Sequence, residues 1–258
     1  MNPSRRPLIA GNWKMNLGGP ESIGLASGIA RVARELAGLD VVICPPFTAL
    51  AALAAELDGG PLRLGAQNVH SKTSGAFTGE ISADMLVATG CTWVIVGHSE
   101  RRQFFGDTDS WVAEKAQAAF KAKLAPMVCV GETEAQREAG ETLAVLERQL
   151  NAVLPVLVAH AHAPMAIAYE PVWAIGTGKA AGPADAEEAH AFIRKYIAGT
   201  SEELAARVRV LYGGSVTGAN ARDLLGCANV DGAPVGGASI ALEKFEPILR
   251  ASHALTLS

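Results

Sequence analysis

WVIVG, at residues 93–97, is a short run of apolar residues, and a segment with helical spacing of apolar residues follows it at residues 109–124. A run this short and continuously apolar is typical of a parallel strand that is buried on both faces and followed by a crossover helix. The same step occurs eight times along the chain. The apolar runs lie at residues 8–13, 41–44, 62–67, 93–97, 126–131, 165–170, 208–213 and 230–237.

Segments of helical period follow these runs at residues 21–36, 48–57, 81–88, 109–124, 134–157, 185–198, 219–225 and 240–254. Eight β-then-α units in about 250 residues are the size of a closed barrel. We therefore predict an α/β fold, a closed eight-stranded parallel β/α barrel of the TIM-barrel type. The alternative, a doubly wound open sheet, usually has a Gly-x-Gly-x-x-Gly turn after its first strand, whereas this chain has Gly-Asn-Trp-Lys there. No linker divides the chain, so we expect a single domain of residues 1–258.

The composition of the chain is that of a large globular domain. Of its 258 residues, 49% are hydrophobic and 19% are charged, and the net charge of -4 includes no basic run. These values predict no nucleic-acid partner and no membrane-surface partner. The start of the sequence contains no apolar stretch of the length typical of a signal peptide, and no later segment approaches about 18 uninterrupted apolar residues. Its cysteines are far apart and indicate reduced thiols, so we expect a soluble, cytoplasmic protein. They are Cys44, Cys91, Cys129 and Cys227.

Polar residues and glycines stand where five of the predicted strands end. They are Asn12 and Lys14, His98 and Glu100, Glu170, then Gly213, Gly214 and Ser215, and finally Gly236 and Gly237. Each alone also fits a structural role, such as a strand-end histidine, a solvated lysine or a tight glycine turn. The carboxyl ends of barrel strands meet at one mouth, where catalytic groups collect. Together these residues therefore predict an active site.

Five motifs extend this pattern over the whole chain. They are GNWKMN (11–16), VIVGHSERR (94–102), AYEPVWAIGTGK (168–179), YGGSV (212–216) and VGGAS (235–239). In this order and spacing they resemble the triosephosphate isomerases. The resemblance implies that Asn12, Lys14, His98, Glu100 and Glu170 form the active site.

The chemistry of such an enzyme explains two of these residues. Moving a carbonyl between adjacent carbons requires a base beside the carbonyl, an electrophile that stabilises the enediolate, and a way to return the proton. By the resemblance, Glu170 is the base and a neutral His98 is the electrophile.

The resemblance gives the other polar residues supporting roles. Lys14 would offset the charge of the enediolate and the phosphate, and Asn12 would donate an amide hydrogen to a substrate oxygen. Glu100 would orient Lys14. The alternative for Glu100 is an ion pair with its neighbours Arg101 and Arg102.

Glycine turns at two strand ends predict a phosphate site. Backbone N–H groups at Ser215 and at Gly236 and Gly237 can approach an anion closely, because glycine leaves the main chain uncovered. By the resemblance Gly176 donates to the same phosphate. This chemistry requires no metal and no cofactor.

The segment at residues 171–179 is too apolar for an ordinary surface loop. By the resemblance it is the lid that closes on the substrate and excludes water from the enediolate, with hinges at residues 171–173 and 179–181. Its residues are Pro171, Val172, Trp173, Ala174, Ile175, Gly176, Thr177, Gly178 and Lys179.

The loop HSKTSGAFTGE, at residues 70–80, is long and polar but has Phe77 near its tip. By the resemblance it inserts into a second subunit, where Thr78 would approach Asn12 and Lys14, and the protein is a homodimer. The alternative is a flexible surface loop.

Two positions depart from the family. The second hinge is followed by Gly182 and Pro183 where a serine or threonine helix cap is usual, and glycine caps nearly as well. The larger departure is Pro234, because the family has a leucine that presses on the catalytic glutamate together with the lid residue Ile175.

The resemblance thus predicts an isomerase that interconverts dihydroxyacetone phosphate and D-glyceraldehyde 3-phosphate in glycolysis and gluconeogenesis. An aldolase on the same barrel would need a strand-end Schiff-base lysine or paired metal-binding carboxylates, and the sequence offers neither. A second alternative is a non-catalytic phosphate-binding barrel that serves as a scaffold. Such a protein would be free to lose Lys14, His98 or Glu170, and all three are present.

Overall fold

The computed structural model describes residues 5–174 and 181–257 of the chain. Within them, eight strands alternate with helices, as the apolar runs predict. The strands are β1 (Leu8–Asn12), β2 (Asp40–Cys44), β3 (Leu62–Ala66), β4 (Trp93–Val96), β5 (Ala125–Val130), β6 (Ala166–Tyr169), β7 (Arg209–Tyr212) and β8 (Gly232–Val235).

The α-helices in this part of the chain form the outer layer. They are α1 (Glu21–Glu35), α2 (Phe47–Glu56), α3 (Ala83–Ala88), α4 (Ser99–Phe105), α5 (Asp109–Lys121), α6 (Glu134–Glu138), α7 (Thr142–Ala159), α8 (Pro183–Ala198), α9 (Glu202–Arg207), α10 (Ala221–Leu225) and α11 (Leu242–Ala254). Short 3-10 turns at Val172–Ala174 and Gly237–Ile240 follow β6 and β8.

The strands form one parallel sheet in the order β7-β6-β5-β4-β3-β2-β1-β8. Its two end strands meet at Asp231, whose N–H donates to the carbonyl of Val210 at 2.8 Å. The Asp231 carboxylate accepts the Val210 N–H at 2.9 Å and pairs with Arg5 and Arg194 at 2.8 and 2.6 Å. This closes the sheet into a barrel and confirms the predicted fold class.

Two apolar layers explain why the strands are apolar along their whole length. Successive side chains of β1 point to opposite faces of the sheet. Leu8 and Ala10 fill the barrel interior, and Ile9 packs toward the helices. Both faces of each strand are therefore buried, which removes the polar alternation of a half-exposed sheet. Polar residues therefore lie at the carboxyl ends of the strands, which form the mouth of the barrel.

The structure corrects one predicted helix and adds two. The segment predicted as one helix at residues 134–157 forms α6 and α7, because Gly140 lies between them with a φ of 72°, a left-handed conformation that glycine adopts without strain. The short helices α4 and α9 were not predicted.

Helix α7 is long and apolar enough to cross a membrane by length and composition, and it is the one such helix in the part of the chain that the structure describes. Its side chains Leu146, Leu150 and Leu157 are buried against the barrel. An apolar face turned to the core is typical of a barrel helix.

Candidate active site

The mouth of the barrel contains a cavity of about 310 Å³ that gathers the residues predicted from the strand ends. Its lining includes Asn12, Lys14, His98, Glu170, Ser215, Pro234, Gly236 and Gly237. A larger cavity of about 740 Å³ lies beside it and shares Glu170, but its lining includes neither Lys14 nor His98. We therefore take the smaller cavity as the candidate active site.

Glu170 and His98 are in direct contact in this cavity. The carboxylate oxygen Oε1 of Glu170 lies 3.1 Å from Nε2 of His98. The second oxygen, Oε2, accepts the backbone N–H of Ser99 at 2.8 Å. Glu170 is only 3% exposed, so a buried carboxylate is held by two donors at the edge of the cavity.

The hydrogen bonds of His98 assign its tautomer. The ring nitrogen Nδ1 accepts the backbone N–H of Glu100 at 3.2 Å, at the start of α4. A nitrogen that accepts a hydrogen bond carries no proton, so the ring is neutral and its proton is on Nε2. Nε2 is therefore a donor that faces Glu170 and the cavity.

Lys14 pairs with Glu100 across the mouth. The distance from Nζ of Lys14 to Oε1 of Glu100 is 2.6 Å. The alternative for Glu100 is an ion pair with Arg101 or Arg102. In the structure Arg101 pairs with Asp107 at 3.3 Å instead, and Arg102 donates to the carbonyl of Gly97. Glu100 thus contacts Lys14 and does not itself line the cavity.

The backbone of Lys14 is in a left-handed conformation, with a φ of 50° that is uncommon for a residue with a side chain. Side chains on both sides hold it there. The amide of Gln67 donates to the carbonyl of Lys14 at 2.7 Å and to that of Cys44 at 2.9 Å, and Oδ1 of Asn12 accepts the Lys14 N–H at 3.1 Å. Because Oδ1 is used in this way, the amide nitrogen of Asn12 is the group available to a substrate oxygen.

The glycine turns after β7 and β8 line the same cavity as His98. At Gly213 a side chain has no room, because a Cβ there would lie 2.8 Å from Cγ of Glu170. Ser215 donates its hydroxyl to the carbonyl of Ala174 at 3.2 Å. The Cβ position of Gly236 lies 3.5 Å from Cε of Lys14, so the second turn and the lysine are neighbours.

The structure describes the first residues of the predicted lid, up to Ala174. Val172–Ala174 form a 3-10 turn, and the indole N–H of Trp173 donates to Oε1 of Glu132 at 2.8 Å. The predictions for Ile175, Gly176, Thr177, Gly178 and Lys179 lie outside the described residues. Helix α8 begins at Pro183, and Oδ2 of Asp185 accepts the N–H of the N-cap residue Gly182 at 3.0 Å.

A buried thiol lies beneath Glu170. Burial, and after it the neighbouring carboxylate of Glu170, raise the pKa of Cys129 well above its usual range. The thiol is therefore protonated at neutral pH and adds no second negative charge beside Glu170.

The loop at residues 72–80 is exposed along its length. The centroid of the Phe77 ring lies 4.2 Å from that of the His70 ring, and Phe77 is still 42% exposed. Other exposed large apolar side chains include Met15, which follows Lys14, and Phe104 and Phe105 on α4.

Three contacts of the site were missed by the sequence analysis. Gln67 and Glu132 follow β3 and β5, and a polar residue at a strand end is the signal that marks them. The contact of Ser99 with Glu170 uses a backbone N–H, for which the sequence carries no signal because almost every residue has one.

Comparisons with known proteins agree with each other. A family model described as triosephosphate isomerase matches residues 7–252. A triosephosphate isomerase of Rhodopirellula baltica is 49% identical over 250 residues, which cover 96% of this chain and 98% of that protein. One of Magnetococcus marinus is 50% identical over 252 residues, covering 95% and 98% of the two chains. The crystal structure of triosephosphate isomerase from Bartonella henselae matches with a TM-score of 0.87 and 43% identity, over 95% of this chain and 98% of that one.

Proposed function

The chain belongs to the triosephosphate isomerase family and interconverts dihydroxyacetone phosphate and D-glyceraldehyde 3-phosphate, and we propose that Glu170 and His98 carry the proton transfers. One observation supports these roles above all others. A buried carboxylate and a neutral imidazole N–H meet at 3.1 Å on the wall of the cavity that also contains Lys14.

In the proposed reaction Glu170 removes a proton from the carbon beside the carbonyl of the triose. Before it can do so, its Oε2 has to leave the N–H of Ser99, because that bond holds the carboxylate at the side of the cavity. The same carboxyl then returns the proton to the neighbouring carbon, while His98 passes the hydroxyl proton from one enediolate oxygen to the other through Nε2, so that the carbonyl moves by one position. A single base that serves both carbons accounts for the isomerisation without a redox cofactor.

The enediolate oxygens carry the charge that develops in this reaction. The Nε2 proton of His98 stabilises them as a hydrogen-bond donor, and the ammonium of Lys14 adds a positive charge that Glu100 orients. The amide of Asn12 is a further donor. Such groups are effective because they are already in place before the charge appears.

The phosphate of the substrate is placed at the N–H groups of Ser215, Gly236 and Gly237, with Gly176 of the lid as a further donor. The lid at residues 171–179 would then close over it and exclude water from the enediolate. We propose no metal and no cofactor for this site. A coupled assay with glyceraldehyde 3-phosphate, run on the unsubstituted enzyme and on variants of the named residues, tests these assignments.

We further propose a single domain of residues 1–258, a cytoplasmic location and a homodimer. The cysteines are free thiols, which is usual in a reducing compartment. For the dimer the support is the exposed loop at residues 72–80 with Phe77, together with the exposed Phe104 and Phe105, because apolar side chains of this size on a surface commonly mark an interface. In the dimer, Thr78 would approach Lys14 of the partner subunit.

Shortening this loop by deleting residues 73–79 should give a monomer of low activity. The reason is that the mouth of each subunit would lose the contact that supports Lys14. Sedimentation and turnover should be measured on the same sample, and a fully active monomer would rule out the cross-subunit role.

A pair of point variants refines this test. Phe77→Ser should shift the equilibrium toward monomer, whereas Leu143→Ser, on an equally exposed apolar residue of α7, should not. The two side chains are 42% and 41% exposed, so a difference between the variants cannot come from exposure alone.

The substitution Pro234→Leu should raise turnover. Pro234 lines the cavity with Glu170, and a leucine there would extend farther and displace water from the carboxylate when the lid closes, which makes the carboxylate a stronger base. A gain of about 1 kcal/mol in the closed state would raise kcat roughly fivefold. The inhibition constant of inorganic phosphate should stay the same.

The control for this variant is Pro234→Ala, which restores the backbone N–H without adding reach and should not raise kcat. If Pro234→Leu folds and its kcat is unchanged or lower, the apolar cover of Glu170 is supplied by another side chain or matters less than we infer.

A further inference from the structure

The carbonyl of Gly236 receives two hydrogen bonds from one residue. The backbone N–H of Ser239 donates to it at 2.8 Å, and the hydroxyl of Ser239 donates to it at 2.7 Å. Ser239 is fully buried. Both lone pairs of the Gly236 carbonyl are therefore directed toward Ser239 and away from the cavity.

This arrangement fixes the next N–H group. In a planar trans peptide the C=O of one residue and the N–H of the following residue point in opposite directions. Holding the carbonyl of Gly236 toward Ser239 therefore directs the N–H of Gly237 the other way. Gly237 is exposed and lines the cavity, as Gly236 and Lys14 do.

The space for the serine comes from a glycine of the first strand. A Cβ on Gly11 would lie 3.1 Å from Cβ of Ser239, closer than side chains normally pack. Gly11 belongs to β1, which also carries Asn12. The missing side chain of Gly11 thus lets Ser239 lie against the strand that positions a substrate-binding residue.

We propose that Ser239 is a positioning residue that aims the N–H of Gly237 at the phosphate of the substrate. The inference rests on the proposed phosphate site at Gly236 and Gly237 and adds to it the side chain that orients it. Without the hydroxyl, the carbonyl of Gly236 keeps one donor and its peptide plane is free to tilt. The N–H would then point less directly at the phosphate, and a hydrogen bond weakens as its donor–hydrogen–acceptor angle decreases.

The experiment measures how inorganic phosphate competes with substrate in Ser239→Ala. The loss of alignment of one charge-assisted hydrogen bond should raise the inhibition constant of phosphate about fivefold, which corresponds to about 1 kcal/mol. KM should rise by a similar factor while kcat stays within about twofold, because the phosphate contact is equal in the ground state and the transition state.

A second buried serine supplies the matched control. The hydroxyl of Ser252 on α11 is buried and has no hydrogen-bond partner among the described residues, so Ser252→Ala makes the same chemical change away from the mouth. It should leave the phosphate inhibition constant, KM and kcat unchanged. If Ser239→Ala behaves like Ser252→Ala, the hydroxyl only fills space and the inference is wrong.

Two further measurements separate the possible outcomes. The amide resonance of Gly237 should shift when phosphate is added to the unsubstituted enzyme, and the shift should be reduced in Ser239→Ala. If phosphate does not compete with substrate in the unsubstituted enzyme, the proposed phosphate site itself fails. If phosphate competes and Gly237 does not respond, phosphate binds without the N–H of Gly237 and the role of Ser239 is refuted.

A third variant covers the case in which alanine destabilises the turn. Ser239→Cys keeps a weak donor at the same position and should raise the phosphate inhibition constant by less than alanine does. A fall in kcat and in thermal stability in both variants, with an unchanged inhibition constant, would identify Ser239 as a structural residue and overturn the proposal.

Discussion

Replacing Glu170 with aspartate should lower kcat about a hundredfold or more and leave the inhibition constant of inorganic phosphate unchanged. Aspartate keeps the charge but retracts the carboxylate by one methylene group. In the structure Oε1 of Glu170 is 3.1 Å from Nε2 of His98, and Oε2 is 2.8 Å from the N of Ser99, so the carboxylate stands directly beside the imidazole. A misplacement of about 1 Å can cost roughly a hundredfold in rate.

The control for this prediction shortens a different carboxylate that also makes two hydrogen bonds. Glu187 on α8 accepts from Asn229 at 3.0 and 2.6 Å, and neither residue lines the cavity. Glu187→Asp should lower the melting temperature and leave kcat unchanged. If Glu170→Asp keeps the turnover of the unsubstituted enzyme, Glu170 is not the base.

The fold could be predicted from the sequence because burial on both faces leaves a direct signature. Runs such as WVIVG at residues 93–97 are apolar at every position, and the register of Val94 with Pro126 in the parallel sheet confirms that such a run is an interior strand. Eight repeats of this signature leave few topologies, since parallel strands are joined by right-handed crossovers.

Helix boundaries were harder to predict where the backbone conformation of one residue determines them. The helical period of residues 134–157 continues through Gly140, and only the left-handed φ of that residue divides the segment. Helix α4 has seven residues and begins where Nδ1 of His98 accepts the N–H of Glu100. The sequence marks His98 as a strand-end residue but does not state that its ring also caps a helix.

The site was predictable to the extent that it consists of side chains at strand ends. Lys14, His98 and Glu170 are separated by more than 70 residues in sequence, yet the barrel brings them to one cavity because all strand ends share one mouth. What could not be predicted are the backbone groups, such as the N–H of Ser99. The direction of such a group depends on the orientation of its peptide plane in the folded chain. The sequence does not reveal it, because almost every residue has the same backbone N–H and C=O groups.

Replacing His98 with glutamine should lower kcat by about a hundredfold or more with little change in the inhibition constant of inorganic phosphate. Removing one donor to a developing oxyanion typically costs about 10²–10³ in kcat. Glutamine keeps an amide N–H donor near the position of Nε2, which lies 3.1 Å from Glu170. Its amide is a poorer donor and cannot relay a proton between the two oxygens of the enediolate, so the loss falls on the transition state.

The matched control is His190, a second buried histidine that lies on α8. Burial lowers the pKa of His190 to about 3, so it is a neutral imidazole at neutral pH, and its Nδ1 lies 3.3 Å from the carbonyl of Asn229. His190→Gln makes the same substitution in a core position and should lower thermal stability while kcat is unchanged. If His98→Gln weakens phosphate binding as much as it lowers kcat, His98 acts by holding the mouth in shape. A loss confined to kcat would leave stabilisation of the enediolate as the role that accounts for both results.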